Sequence, residues 1–483
     1  MTPPRPHSRR RPTVLPRQAV AGTVPVALAA LLAAAGPASA GTVGASGAGD
    51  PYFPFEGNGG YDVSHYDLTL GYTPGSGHLD GRAVLRARAT QRLTRFDLDL
   101  QGLKVTAVTV DHRKASFRRD GQELVVSPRH ALRKGQDFGV VISYQGTPKP
   151  VTDPDGSLDG WIPTDDGAFV AGEPQGAMTW FPGNSHPRDK ASYDITITVP
   201  QDRTAVSNGV LVSRKTAHGN TTFHWRQSEP MAAYLATATV GKFDVEQYTT
   251  PSGIKVFNAV DPREASAAAP VLKKLPSVLA WESKLFGPYP FRAGGAIVDK
   301  ATNVGYALET QTRPVYDRAP DLSTLVHESA HQWFGDSVSL TRWQDIWLNE
   351  GFATYAEWLY SEQHGGTTAQ QTFDSLYARP ASDDLWAFPP ADPGSGAHIF
   401  DTPVYARGAM ALHRLRATVG DPVFFRILRT WAAEHRGGHG TTAQFIRLSE
   451  RLSGKDLGAL FHTWIGTAGK PSAPGALRAA GRS

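Results

Sequence analysis

The chain has 483 residues, with 49 Lys plus Arg against 45 Asp plus Glu and no cysteine. That length exceeds what one hydrophobic core usually organises, so two or three domains are expected. The absence of cysteine excludes disulfides and any zinc-thiolate site.

Arg5, Arg9, Arg10, Arg11 and Arg17 precede an apolar run from Ala19 to Ala35, and Ala38-Ser39-Ala40 fits a small-residue cleavage site. Residues 1–40 therefore read as a removable signal peptide. The run is short for a membrane anchor and is interrupted by Gly22 and Pro25. Ser8-Arg9-Arg10 fits a twin-arginine signal as well as an ordinary secretory one, and both routes stay open. Loss of this segment leaves 44 basic against 45 acidic residues, so the mature chain is nearly neutral and its composition gives no support to nucleic-acid binding. No other stretch is apolar enough to span a bilayer, and a secreted or extracytoplasmic location is expected. The oligomeric state is not legible.

Residues 41–50, rich in Gly, Ala and Ser, read as a flexible lead. Period-two alternation follows at Tyr66, Leu68, Leu70 and Tyr72, again at Phe138, Val140, Ile142 and Tyr144, and again at Tyr193, Ile195, Ile197 and Val199. This predicts a mainly antiparallel β domain over 51–255. Helical signals take over from Pro262, with a helix expected to about Leu285 and a strand-like stretch around Ala296 to Thr310. Further on, residues 378–403 read as a long loop, Thr441 to Gln444 as a capping box, and Gly454 as a helix end. A second, mostly helical domain is thus expected over 256–466, with a disordered tail over 467–483. The fold class is α+β and multidomain.

Within the helical part, His327-Glu328-Ser329-Ala330-His331 is followed by eighteen residues and then Glu350. On a helix His327 and His331 lie one turn apart on one face, so both imidazoles can converge on one ion with Glu328 beside them. Asp321 can cap that helix, and Gly335 can end it. With Glu350 as the third ligand, two nitrogens and one carboxylate leave a coordination position open, which marks a catalytic rather than a structural zinc. One Zn2+ per chain is expected. If Glu350 opens a second helix, Glu357 at i+7 shares its face and can accept a hydrogen bond from a zinc-bound imidazole.

His327-Glu-Ser-Ala-His-Gln-Trp-Phe-Gly-Asp336 and Trp347-Leu-Asn-Glu-Gly-Phe-Ala353 resemble the aminopeptidase N family of zinc metallopeptidases. Tyr61-Asp-Val-Ser-His-Tyr66, Trp180-Phe-Pro-Gly-Asn-Ser-His-Pro-Arg-Asp-Lys-Ala191 and Phe286-Gly-Pro-Tyr-Pro-Phe291 extend the resemblance to about Gly466. The resemblance implies a β domain followed by a thermolysin-like catalytic domain, in a short form lacking the family's C-terminal helical domain. It implies that Tyr405, in Val404-Tyr-Ala-Arg-Gly-Ala409, stabilises the oxyanion, with Arg407 where the family has lysine. It further implies that Glu309 and Glu173 hold the substrate's free amino terminus. The exopeptidase motif is altered around Glu309: Tyr306 replaces glycine, Leu308 methionine and Thr310 asparagine.

The expected chemistry is amide hydrolysis, with Glu328 taking a proton from water and returning it to the leaving amine. The expected partner is a peptide with a free amino terminus. A zinc endopeptidase with an open cleft and a catalytically inactive peptide-binding relative are the alternatives.

Overall fold

The computed structural model describes residues 42–472, so the predicted signal peptide and the tail from 473 lie outside the described residues. Its N-terminal half is built on an eight-stranded sheet ordered Val210–Ala217, Asn220–Ala232, Lys190–Pro200, Tyr61–Thr73, His78–Ala89, Asp137–Gly146, Lys104–Val110 and Arg113–Lys114. Every neighbouring pair is antiparallel except Lys190–Pro200 with Tyr61–Thr73. The alternation seen in the sequence is the cause: Tyr66, Leu68, Leu70 and Tyr72 all point into the core while the residues between them stay accessible. Two smaller sheets complete this β region. One of them contains Leu158–Pro163 and Ala168–Ala171, which lead into Glu173.

The second half opens earlier than residue 256. Strand Asp244–Thr249 pairs along its length with Lys255–Val260, which continues in parallel to Ala293–Val298. Val315–Tyr316 and Ala307–Leu308 complete this five-stranded sheet. The helices of this half are α1 (Ala265–Leu272), α2 (Leu275–Phe286), α3 (Leu322–His331), α4 (Trp347–Gln363), α5 (Ala369–Tyr377), α6 (Gly408–Val419), α7 (Asp421–Glu434), α8 (Thr442–Ser453) and α9 (Gly458–Ile465). The architecture is therefore a β-rich domain followed by a helical one. The capping box at Thr441 and Gln444 is formed, and Gly454 closes α8 at φ 66°.

The described parts of the two segments expected to be flexible, residues 42–50 and 467–472, are instead docked. In the lead, Thr42 and Val43 pair with Leu93 and Arg95, and buried Asp50 accepts from the Trp343 backbone N–H at 2.8 Å. At the other end, Gly469 N–H donates to Trp386 O at 2.9 Å and Tyr377 Oη donates to Pro471 O at 2.7 Å. In both cases a polar backbone or side-chain group finds a partner far away in sequence, which local composition does not reveal.

Two cations join the two halves, Arg313 buried and Lys190 partly buried. Arg313 donates to Phe257 O at 2.9 Å, to Gly209 O at 3.1 Å and to Ser207 O, and stacks over Trp225. Lys190 Nζ donates to the carbonyls of Asp336, Ser337 and Gly438 at 2.6, 3.0 and 3.2 Å, holding the β domain against the segment that follows α3. Charged groups with this many acceptors stay hydrogen-bonded out of water and fix the register of the elements they join.

Asp299, just after Ala293–Val298 at the centre of the five-stranded sheet, is fully buried; its Oδ1 accepts from Lys300 N–H at 2.8 Å and its Oδ2 has no partner. Burial pushes this carboxyl up from 3.8 to about 7. The native state thus holds a proton that the unfolded chain has lost over that range. The residue's contribution is fully present below the unfolded pKa and is lost as pH rises through about 7. Asp299→Asn, which removes the titration, is expected to raise Tm at pH 8 and to leave it near wild type at pH 4.5. The same Tm shift at both pH values would contradict this assignment.

Candidate active site

Helix α3 delivers the first two candidate ligands. Its N-terminus is capped by Asp321, whose Oδ1 accepts from Thr324 N–H at 2.8 Å. Leu325, Val326 and Ala330 bury one face, and this turns His327, Glu328 and His331 toward the cleft. The chain leaves the helix through Gly335 at φ +135°, a conformation suited to glycine.

Helix α4 packs against α3 and carries Glu350 in its first turn. Glu350 Oε2 lies 3.1 Å from His327 Nε2 and 3.4 Å from His331 Nε2, and the two imidazole centroids are 4.7 Å apart. One atom from each of the three side chains falls within 4.8 Å of the others. The opposite ring nitrogens are engaged elsewhere: His327 Nδ1–H donates to Glu357 Oε1 at 2.7 Å, and His331 Nδ1–H donates to Phe334 O at 3.0 Å. Those bonds fix the tautomer that leaves both Nε2 lone pairs free to face Glu350. Glu357 is itself held by Ser323 Oγ at 2.5 Å, one helical turn before His327. The donor set, its convergence and its outer hydrogen bonds fit a zinc ion with one position left open.

Glu328 sits beside these ligands, buried, with Oε2 unpartnered. Burial pushes its carboxyl up to about 8, against the pull of His327 and His331. Glu350 behaves oppositely: burial would raise it, but the two histidines outweigh burial and hold it at about 2.

The far wall is acidic. Glu309 Oε1 lies 3.7 Å from His331 Nδ1 and has no hydrogen-bond partner, and Glu173 Oε1 is likewise buried and unpartnered. Burial raises both groups, and Glu309 and Glu350 raise Glu173 further. Gln332, at the end of α3, holds the Glu309 segment by donating to Glu309 O at 3.2 Å and accepting from Thr312 N–H at 2.7 Å. Two buried carboxylates with open oxygens are a site prepared for a cation.

Tyr405 comes from a π-turn, Pro403–Arg407, that leads into α6. Its ring stacks on His327 at 6.1 Å and 21°. Close approach of α6 to α4 places it there, since a Cβ on Gly351 would lie 3.0 Å from the Gly408 backbone. Arg407, in the place of the family's lysine, is turned away from the cleft. It is fully buried and donates to the carbonyls of Trp464, Phe388 and Thr463 at 2.9, 3.3 and 3.1 Å.

His327, Glu328, His331, Glu350, Tyr405, Glu309 and Glu173 all line one cavity of about 420 Å³. The structure thus brings together His327, Glu328, His331, Glu350, Tyr405, Glu309 and Glu173, with Glu357 behind His327. It adds Asp155, Ser157, Tyr306 and Phe400 to the lining, which the sequence reading did not assign to the site. Asp155 and Ser157 stand in a turn of the β domain and Phe400 in the long loop before Tyr405. The altered exopeptidase motif already drew attention to Tyr306, but nothing local marked the others.

The Peptidase family M1 domain matches residues 301–464 and the Peptidase M1 N-terminal domain matches residues 63–235. An M1 zinc metallopeptidase from Deinococcus radiodurans superposes with a TM-score of 0.82 at 30% identity, over 89% of this chain and 98% of that one. A mutant of that enzyme bound to a Tyr-Ser-Ala substrate gives a TM-score of 0.81 at 29% identity, over 89% of this chain and 99% of that one. Aminopeptidase A of Gloydius brevicauda is 26% identical over 84% of this chain and 46% of its own length. Glutamyl aminopeptidase of Bos taurus is 28% identical over 62% of this chain and 34% of its own length. The chain spans half or less of the length of the curated relatives it matches.

Proposed function

We propose that this chain, which belongs to the M1 family of zinc metallopeptidases, is an exported aminopeptidase that removes residues from the free amino terminus of peptides. The observation that carries the reading is the pairing of a zinc ligand set with two open, buried carboxylates across one cavity. Export rests on the basic, Ala-rich segment over residues 1–40.

His327, His331 and Glu350 would hold the zinc, which when bound supplies Lewis acidity and lowers the pKa of a water molecule. Glu328, beside that position and without a partner on Oε2, takes the proton from the attacking water and returns it to the departing amine. The Tyr405 hydroxyl donates to the oxygen that gains negative charge. Glu309 and Glu173 accept the substrate's ammonium, which anchors the first residue and selects for chain ends. Burial biases both carboxyls toward their neutral form, and an entering free amino terminus supplies the positive charge that favours ionisation, which a blocked peptide does not.

The test is steady-state kinetics on free aminoacyl amides. Glu309→Ala is expected to raise KM and lower kcat together, with Glu173→Ala showing a smaller loss in kcat/KM. Unchanged kinetics in both variants would remove the ammonium site and with it the basis for exopeptidase action.

A further inference from the structure

The charge lining the cavity is one-sided. It carries five carboxylates, Asp155, Glu173, Glu309, Glu328 and Glu350, and no lysine or arginine. Four of them are accounted for by metal, proton transfer and ammonium. Asp155 is not.

Asp155 stands exposed at the rim, in a turn contributed by the β domain. Its Oδ1 accepts from Ser157 N–H at 2.9 Å and from Ser157 Oγ at 2.7 Å, so the carboxylate is held in place rather than free to swing. Its Oδ2 takes part in neither bond. Tyr306 is tied to the same turn, its phenol donating to Leu158 O at 2.7 Å. The Tyr306 and Phe400 rings add two aromatic faces to the cavity. A fixed carboxylate in a cavity that also holds aromatic side chains can receive a guanidinium or ammonium group.

We propose, resting on the aminopeptidase reading above, that this rim subsite selects substrates with a cationic side chain, arginine or lysine, in one of the two residues flanking the scissile bond. A cationic side chain meets opposite charge at Asp155 in a cavity that Tyr306 and Phe400 also line. An acidic side chain at the same place meets like charge at Asp155, so the group that attracts one class repels the other.

The experiment measures kcat/KM of the zinc-loaded protein for X-Ala and Ala-X dipeptides with X as Arg, Lys, Leu or Glu, in wild type and Asp155→Asn. The asparagine keeps an acceptor for Ser157, so the turn is preserved. At one of the two positions Arg or Lys is expected to exceed Leu by about fivefold, and Leu to exceed Glu. In Asp155→Asn the Arg-to-Leu ratio is expected to fall about threefold to fivefold, the scale of one accessible ion pair. Equal rates for the four side chains at both positions, or a ratio that Asp155→Asn leaves unmoved, would overturn the proposal. Calorimetric binding of the same dipeptides to Glu328→Gln reads the preference without turnover. If no unblocked dipeptide is cleaved, the aminopeptidase reading fails, and the binding series alone then decides the subsite by the same criteria.

Discussion

Glu328→Gln is expected to keep its zinc and lose about 10²- to 10⁴-fold in kcat, the range for removing a positioned general base. The amide is close in shape and keeps the same hydrogen-bonding reach, but it cannot take a proton. Glu328 is not among the three converging donors His327, His331 and Glu350, so metal content should not change. It is buried beside them with Oε2 unpartnered, placed where a water proton could be received, and burial raises its carboxyl above the usual glutamate range. Zinc content by elemental analysis together with turnover checks this. Near-normal turnover with full zinc would mean that another group is the base.

Tyr405→Phe is expected to lower kcat by about 10²-fold or more while KM changes little. The hydroxyl matters when the carbonyl oxygen gains charge, which happens only on the way to the tetrahedral intermediate, so its loss falls on the transition state. Packing gives the ring a separate role. It stacks on His327 and is set in place by the close contact between Gly351 and Gly408, and phenylalanine preserves both features. An unchanged kcat would leave Tyr405 with the packing role alone.

The fold class was legible because its cause is local. Strict alternation at Tyr66 to Tyr72 and at Tyr193 to Val199 buries one face of each strand, and that pattern stands in the sequence itself. The ligand set was partly legible for the same reason: helical spacing puts His327 and His331 on one face of α3 and Glu350 and Glu357 on one face of α4, while the packing of α4 against α3 brings the two pairs together. Glu309, Glu173 and Tyr405 needed the family resemblance, because their meeting depends on how a strand, a β-domain loop and a π-turn pack. Asp155, Ser157 and Phe400 carry no periodic or motif signal and reach the cavity only through tertiary structure. The docked lead departs from its composition for a related reason. Its Gly- and Ala-rich composition predicts flexibility, whereas Asp50 is fixed by a backbone N–H 293 residues away.

The most direct measurement of the central claim is hydrolysis of fluorogenic aminoacyl amides and their amino-terminally blocked counterparts, with and without a zinc chelator. A zinc-dependent aminopeptidase built as described cleaves the free amides, loses that activity to the chelator, regains it with added zinc and spares the blocked amides. Cleavage of blocked and free substrates at equal rates would contradict selection by Glu309 and Glu173 and point to an endopeptidase, and activity untouched by metal removal would contradict the metal centre itself.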